Sequence, residues 1–298
     1  MNGIKKIDIH THVCPFPEYY PGRKDGGPFC SAEEMIKIYD ELNIEKGVIL
    51  PLSSSDAMAS PMTSEGAKYI VDQYPDRFLW FCGIDPRAMG NSSTTDLSKL
   101  FEHYKALGAK GLGEVTAPFY ADDPMIDNLF AAAAHYDMPV IIHIYTKFGG
   151  SYGIVDELGL PRIEKMLKKH PSLKLIGHSS PFWSEISADN NDNVRNGYPK
   201  GKVTEGRISY LMREYENLYC DMSAGSGANA LMRDPEFTAG FFEEFQDRIL
   251  YGCDITSTAC AHQYTLDKFF DGMLADGTLK LDVYKKIVRD NAVKLLGL

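Results

Sequence analysis

Short runs rich in β-branched residues alternate with amphipathic segments along the whole chain, and this alternation is the strongest constraint on its fold. Strands are predicted at residues 7–13, 47–52, 78–84, 109–115, 140–145, 173–178, 218–222 and 249–253. Helices are predicted at residues 32–42, 65–74, 95–107, 125–136, 163–170, 207–215, 237–245 and 283–296. Eight strands that alternate with helices call for parallel pairing, and eight parallel strands can close into a barrel.

The prediction is therefore an α/β fold, a (β/α)8 TIM barrel that forms a single domain over residues 1–298. An open doubly wound sheet is the alternative, but the first strand–helix loop has no glycine-rich phosphate cradle of the G-x-G-x-x-G type. Barrels of this kind commonly reach the length of this chain as one domain.

Charge and apolar patterning narrow the range of partners. The chain has 31 basic and 41 acidic residues, a formal charge of -10, and no dense basic cluster interleaved with aromatic residues. This balance disfavours nucleic acid and anionic membranes as partners and leaves a small-molecule substrate, with a homo-oligomer still open. The chain shows neither a spanning apolar run nor a signal core, and its six cysteines are scattered, so we expect a cytoplasmic protein with reduced thiols.

The first predicted strand, residues 7–13, contains two histidines two positions apart. Because side chains alternate along a strand, Ile7, Ile9, Thr11 and Val13 are predicted on one face, and Asp8, His10 and His12 on the other. Two imidazoles on one face can bind one metal ion, and imidazole is a common ligand of catalytic metals. A His-x-His pair alone is weak evidence, so the rest of the site must come from later strands.

Polar side chains recur where other predicted strands end, and parallel strands of a barrel end on one rim, which carries the catalytic residues of such folds. Each of them alone has a structural explanation, such as a core histidine or a helix cap. Together they indicate a metal site at the carboxyl-terminal rim of the strands. The predicted metal ligands are His10, His12, Glu114, His143, His178 and Asp254.

The segments that carry these residues resemble the amidohydrolase superfamily, specifically its amidohydrolase-related branch of metal-dependent barrel hydrolases and decarboxylases. The matching segments are Asp8-Ile9-His10-Thr11-His12, Val140-Ile141-Ile142-His143, Leu175-Ile176-Gly177-His178 and Leu250-Tyr251-Gly252-Cys253-Asp254. The resemblance implies a divalent metal, often zinc, held at the rim of a barrel. It makes His10, His12, His143 and Asp254 metal ligands, with His178 either a ligand of a second metal or the catalytic histidine.

Two departures from the family pattern affect the choice of reaction. Ile255 and Thr256 follow Asp254, where the family often has an aromatic residue and a proline. Glu114 occupies the position at which relatives with two metals place a bridging carboxylate, and many single-metal decarboxylases lack such a group. The sequence therefore leaves one or two ions open, with two slightly favoured.

The predicted function is a metal-dependent hydrolase of a small molecule, in which a metal-activated water attacks a C–O, C–N or similar bond. Asp254 is predicted to accept the proton of that water, and His178 to orient or polarise the substrate. A metal-dependent decarboxylase of an aromatic or unsaturated acid is the first alternative, because the same barrel and metal could hold a substrate carboxylate. A non-catalytic metal-binding barrel is the second alternative.

Several aromatic and basic residues of the long loops are candidates for lining a substrate pocket. They could equally cover the barrel or form a subunit contact. These residues are Tyr19, Tyr20, Arg23, Phe148, Tyr152, Phe182 and Trp183.

Overall fold

The computed structural model describes residues 3–20, 22–23, 27–54, 62–260 and 262–298. Its strands are β1 Lys6–Thr11, β2 Ile44–Ile49, β3 Phe78–Trp80, β4 Leu112–Val115, β5 Val140–Tyr145, β6 Ile154–Val155, β7 Leu175–His178, β8 Leu218–Asp221 and β9 Ile249–Leu250. Every strand pair is parallel.

The helices lie between the strands along the chain, as the alternating pattern predicts. They are α1 Ala32–Glu41, α2 Ser64–Gln73, α3 Ser98–Ala106, α4 Pro124–His135, α5 Pro161–Lys169, α6 Ser180–Ser184, α7 Arg207–Glu214, α8 Ala224–Met232, α9 Pro235–Phe245, α10 His262–Ala275, α11 Leu281–Lys285 and α12 Asn291–Leu296. A 3₁₀ turn at Pro17–Tyr19 follows β1, and a π-helical segment, Lys286–Asp290, joins α11 to α12. Among the helices of these described ranges, none is both long and apolar enough to cross a lipid bilayer.

Eight strands follow one another around a closed ring, which confirms the predicted barrel. Regular pairing links β1, β2 and β3, and separately β4, β5, β7, β8 and β9. Backbone hydrogen bonds join these two sheets at both seams. Cys82 N–H donates to Gly111 O at 2.8 Å on one side, and Asp254 N–H donates to His10 O at 2.7 Å on the other.

Besides the 3₁₀ turn at Pro17–Tyr19, four elements were not predicted from the sequence. They are the two-residue strand β6, which pairs with the end of β5, and the helices α6, α8 and α10. Strand β6 and helix α6 are too short to show a periodic pattern, and α8 is rich in glycine and serine, residues with low helix propensity.

The predicted alternation of faces along the first strand is broken between Ile9 and His10, so that Ile7 and Ile9 point into the barrel interior on the same side as His10 and His12. The pairing of β1 with β2 shifts register between Asp8 and Thr11. Asp8 and Thr11 both face α1, where Asp8 Oδ2 accepts a hydrogen bond from Tyr39 Oη at 2.7 Å and Thr11 Oγ1 lies 3.5 Å from Met35 Sδ. An irregularity of this kind breaks the two-residue period, so Asp8 does not share a face with the two histidines.

Inward-facing apolar side chains of successive strands fill the barrel below the rim. This interior cluster consists of Ile7, Ile9, Val48, Leu50, Phe81, Ile141, Ile176 and Leu250, with Ala292 and Leu296 from α12. A larger apolar layer packs between the strands and the surrounding helices. The filled interior confines polar chemistry to the rim, as in other barrels of this class.

The buried carboxylate of Asp8 ties β1 to its neighbours. Its Oδ1 atom accepts hydrogen bonds from the backbone N–H groups of His10 and Cys253, each at 2.9 Å. The ring of Tyr39 reaches Asp8 across Gly47, and a Cβ atom at Gly47 would lie only 2.0 Å from Tyr39 Oη. A side chain at position 47 would therefore displace the tyrosine that bonds this carboxylate.

We expect Gly47→Ala to lower the free energy of unfolding by roughly 1–3 kcal/mol, because an added methyl group overpacks this contact. Urea denaturation of the two proteins measures the difference. Gly240→Ala in α9 is the matched control, since nothing lies within 4 Å of its Cβ position and alanine in an exposed helix gains about 0.5–1 kcal/mol over glycine. Equal stability of Gly47→Ala and the parent protein would contradict the proposed crowding.

Candidate metal centre

The six side chains predicted to form the site meet at the carboxyl-terminal rim of the barrel. His10 lies on β1 and His12 just after it, while Glu114, His143 and His178 lie on β4, β5 and β7. Asp254 lies four residues beyond β9, at a φ angle of 52°. Because each element is a parallel strand or its direct continuation, residues far apart in sequence meet at one end of the barrel.

The Nε2 atoms of His10 and His12 face each other at 3.1 Å. Carboxylate oxygens surround them: Asp254 Oδ1 is 3.6 Å from the Nε2 atom of His10 and 3.3 Å from that of His12. Among the residues that the structure describes, two sets of ligand atoms are close enough to hold a cation, His10 with His12 and Asp254, and His10 with Glu114 and His178. His10 Nε2 is thus the centre of the cluster.

The opposite ring nitrogen of each histidine is held by an acceptor. His12 Nδ1 lies 3.0 Å from the carbonyl oxygen of Leu50, which can only accept a hydrogen bond. His10 Nδ1 lies 2.6 Å from Asp221 Oδ2. These partners place the protons on Nδ1, so both Nε2 atoms present lone pairs to each other when the rings are neutral.

The donor set fits a divalent cation. His178 Nδ1 also faces Asp221, at 3.1 Å, so its Nε2 atom points to Glu114 and Asp254, each at 3.8 Å. Lone pairs and carboxylates that converge in a buried place repel one another unless a cation or protons lie between them. Imidazole nitrogens with carboxylate oxygens are the ligand types that bind zinc and other divalent transition metals.

The carboxylates of the cluster have strongly perturbed acidities. Burial favours the neutral form of Glu114, but the charge and hydrogen bond of His143 lower the pKa of Glu114 to about 2. Burial likewise opposes the ionisation of Asp254, yet its pKa is held well below the usual range by His10 and His12. Both side chains are therefore ionised at neutral pH and attract cations.

The same negative charge acts on the imidazoles. Burial disfavours the charged form of His178, but Asp221 overrides this effect and raises the pKa of His178 to about 9. Protons and a metal ion compete for the same Nε2 atoms, so metal binding at this place would release protons.

Asp221, the last residue of β8, was missed by the sequence analysis although it completes the site. It is fully buried and accepts hydrogen bonds from Ser223, through the backbone N–H at 2.9 Å and through Oγ at 2.8 Å, in addition to its contacts with His10 and His178. A Cβ atom at Gly252 would lie 2.4 Å from Asp221 Oδ1, so glycine makes room for this carboxylate. The rule that polar residues at strand ends form the site would have found Asp221 in the predicted strand 218–222.

His143 occupies a position at the edge of the cluster. Its Nδ1 atom lies 2.7 Å from Glu114 Oε1, and it belongs to neither set of converging ligand atoms found among the described residues. The assignment of His143 as a metal ligand stays a prediction, as do those of the other five residues.

The loop residues considered for a substrate pocket lie in different environments. Phe182 and Trp183 are buried in α6, where Phe182 packs against Gly177 and the Nε1 atom of Trp183 donates to the carbonyl oxygen of Asp221 at 2.8 Å. They are core residues. Tyr19 and Phe148 are exposed, whereas Tyr152 packs on His143 with 4.5 Å between the ring centroids.

The amidohydrolase family profile (Amidohydro_2) matches residues 7–298. The chain therefore belongs to the amidohydrolase family, as the resemblance of its strand-end motifs predicts. Family and architecture together indicate an enzyme of the amidohydrolase superfamily. No curated protein sequence matches the chain.

Solved structures with the same fold cover nearly the whole chain. An uncharacterised TIM-barrel protein from Bordetella bronchiseptica is 18% identical, with a TM-score of 0.66 and 99% of each chain covered. A 5-carboxyvanillate decarboxylase from Novosphingobium aromaticivorans, complexed with manganese and 4-hydroxy-3-methoxy-5-nitrobenzoic acid, is 17% identical, with a TM-score of 0.61 and coverage of 99% of this chain and 97% of that chain. A 2,6-dihydroxybenzoate decarboxylase from Rhizobium is 17% identical, with a TM-score of 0.59 and 99% of each chain covered. At these identities the similarity shows a common fold.

We expect the double substitution His10→Ala, His12→Ala to weaken divalent-metal binding by roughly 100-fold or more. Loss of a residue that only hydrogen-bonds a metal ligand already lowers metal affinity about 10–100-fold, and these two histidines are predicted to bind the ion themselves. Elemental analysis after dialysis against limiting metal measures the loss, and circular dichroism checks the fold. His103→Ala on α3 is the control, because it removes an imidazole from the outer helix layer. Stoichiometric metal in the double variant would contradict the site.

Proposed function

We propose that the protein is a metal-dependent decarboxylase, a lyase that acts on an aromatic or unsaturated carboxylic acid and uses one divalent ion. This was the first alternative of the sequence analysis, and it now takes precedence over the hydrolase. Two of the similar structures are decarboxylases of hydroxylated benzoic acids, and one of them contains manganese. A structure of a probable 2-pyrone-4,6-dicarboxylic acid hydrolase from Acinetobacter baumannii, 15% identical with a TM-score of 0.59, shares the fold as well. The metal identity is open between zinc, which the resemblance favours, and manganese.

One observation supports the single ion: His10 Nε2 belongs to both sets of converging ligand atoms. Its other nitrogen is occupied by Asp221 at 2.6 Å, and a nitrogen lone pair binds one metal at a time. The two sets therefore define a single metal-binding site. His10, His12 and Asp254 lie on one side of it, and Glu114 and His178 lie on the other. Hydrolysis by two ions would need a second complete ligand set.

The chemistry of the chain's own residues suits this reaction. A divalent ion held here would supply electrostatic attraction for the carboxylate or hydroxyl oxygens of the substrate. Asp254, whose low pKa makes it ionised at the outset, can take the proton of a substrate hydroxyl and return it to the ring carbon. The bond from that carbon to the carboxylate then breaks, its electron pair returns to the ring, and carbon dioxide leaves.

The hydrolase remains the second candidate because of Glu114. Its Oε2 atom lies 3.6 Å from His12 Nε2 and its Oε1 atom lies 3.8 Å from His178 Nε2, so the carboxylate spans the cluster. A bridging carboxylate would permit a second ion beside His143 and His178. In that case hydrolytic activity should rise when a second equivalent of metal is added. Glu114→Gln should lose this second rise in activity before it loses the activity supported by the first equivalent.

The test compares both reactions at controlled metal loading. Protein with one equivalent of Mn²⁺ or Zn²⁺ is assayed for carbon dioxide release from hydroxybenzoic acids and for hydrolysis of activated esters and lactones. We expect carbon dioxide release without a requirement for a second equivalent, and Asp254→Asn should lower kcat by about 100-fold or more, as for the loss of a proton-transfer group.

Two outcomes would contradict the proposal. Ester or lactone hydrolysis that grows with the second metal equivalent, without carbon dioxide release, would favour the hydrolase. Activity of Asp254→Asn within tenfold of the parent, a difference in barrier below about 1.4 kcal/mol, would remove Asp254 from proton transfer. Tyr210→Phe, at an exposed position on α7, is the control for a conservative substitution outside the cluster.

A further inference from the structure

The metal cluster is open to solvent on one side. The side chains of His10, His12, Glu114 and His178 are 0–3% exposed, whereas those of His143 and Asp254 are 16% and 22% exposed. Any organic substrate must therefore approach past His143 and Asp254. The residues that border this opening will touch the part of the substrate that is not bound to the ion.

Tyr152 borders the opening. It lies in the loop between β5 and β6, and its ring packs on the ring of His143 at a centroid distance of 4.5 Å and an interplanar angle of 49°. The next residue, Gly153, donates its N–H to the carbonyl oxygen of Thr116 at 2.8 Å. A Cβ atom at Gly153 would lie 2.8 Å from His143 O, so the absence of a side chain at this position allows the loop backbone to pack closely against β5.

The side chain of Tyr152 is half-buried, and its hydroxyl has no hydrogen-bond partner in the part of the chain that the structure describes. A tyrosine hydroxyl is protonated at neutral pH and can donate a hydrogen bond. Tyr152 offers a flat apolar face together with one hydrogen-bond donor.

We propose that Tyr152 is a specificity-determining residue, whose ring packs against the planar ring of a carboxylic acid and whose hydroxyl donates to an oxygen of that ligand. The inference rests on the proposed function, in which the ligand is an aromatic acid held at the metal. The inference adds the residue that makes the site bind planar carboxylic acids more tightly than saturated ones. Ring–ring contact is worth roughly 2–10-fold in affinity beyond simple burial.

Binding of unreactive acids tests the inference without requiring turnover. Protein loaded with Mn²⁺ is titrated calorimetrically with benzoate and with cyclohexanecarboxylate, which have the same charge and similar size but differ in planarity. We expect the parent to bind benzoate roughly 2–10-fold more tightly. Tyr152→Leu should lose this preference, whereas Tyr152→Phe should keep it and bind salicylate, which has an additional acceptor oxygen, roughly threefold more weakly than the parent.

Metal content, measured by elemental analysis in each variant, separates a role in ligand choice from support of His143. Unchanged metal with a lost benzoate preference supports the inference, even if no decarboxylation is found. Equal affinity of the parent for the two acids, an unchanged preference in Tyr152→Leu, or loss of the metal in Tyr152→Leu would overturn it. Tyr210→Leu is the control for removal of a tyrosine ring elsewhere.

Discussion

The buried carboxylate of Asp221 pairs with two imidazoles of the rim, and the geometry of the candidate metal centre depends on this contact. It accepts a hydrogen bond from His10 directly, and Ser223 Oγ, which donates to it at 2.8 Å, lies 3.0 Å from His178 Nδ1. The Oδ2 atom of Asp221 lies 2.6 Å from His10 Nδ1 and 3.1 Å from His178 Nδ1. Asp221, together with Ser223 Oγ beside His178, places the proton on Nδ1 of both rings and turns both Nε2 atoms towards the cluster. The space for Asp221 in turn requires glycine at position 252.

The same arrangement connects the fold to the proposed chemistry. Apolar side chains fill the barrel up to the rim, so the polar groups of successive strands lie together in one layer at its carboxyl-terminal end. In that layer, nitrogens and carboxylates converge on His10, and the cluster opens towards solvent beside Asp254 and His143. A divalent ion held by the buried side chains of this layer, with Asp254 as proton acceptor at its open edge, would supply the two elements that the proposed decarboxylation uses.

The sequence predicts the barrel well because strand and helix periodicities are strong and each is repeated eight times. It also predicts the six rim residues, because position at the end of a parallel strand can be read without knowing any contact. Contacts that depend on local irregularity were not predictable: a register shift in β1 leaves Asp8 facing α1, away from the two histidines, and puts Ile7 and Ile9 on their side. The core role of Trp183 was equally hidden, since a short helix gives no periodic signal.

The central claim is that the rim binds one ion, with His10 as a ligand common to both sets of ligand atoms. Anomalous diffraction from crystals grown with excess Mn²⁺ or Zn²⁺ tests this claim most directly. The account predicts a single strong anomalous peak within coordination distance of the Nε2 atoms of both His10 and His12, about 2.0–2.3 Å away. It also predicts no second peak of comparable occupancy. Two full peaks on either side of Glu114, about 3.5–4 Å apart, would contradict it.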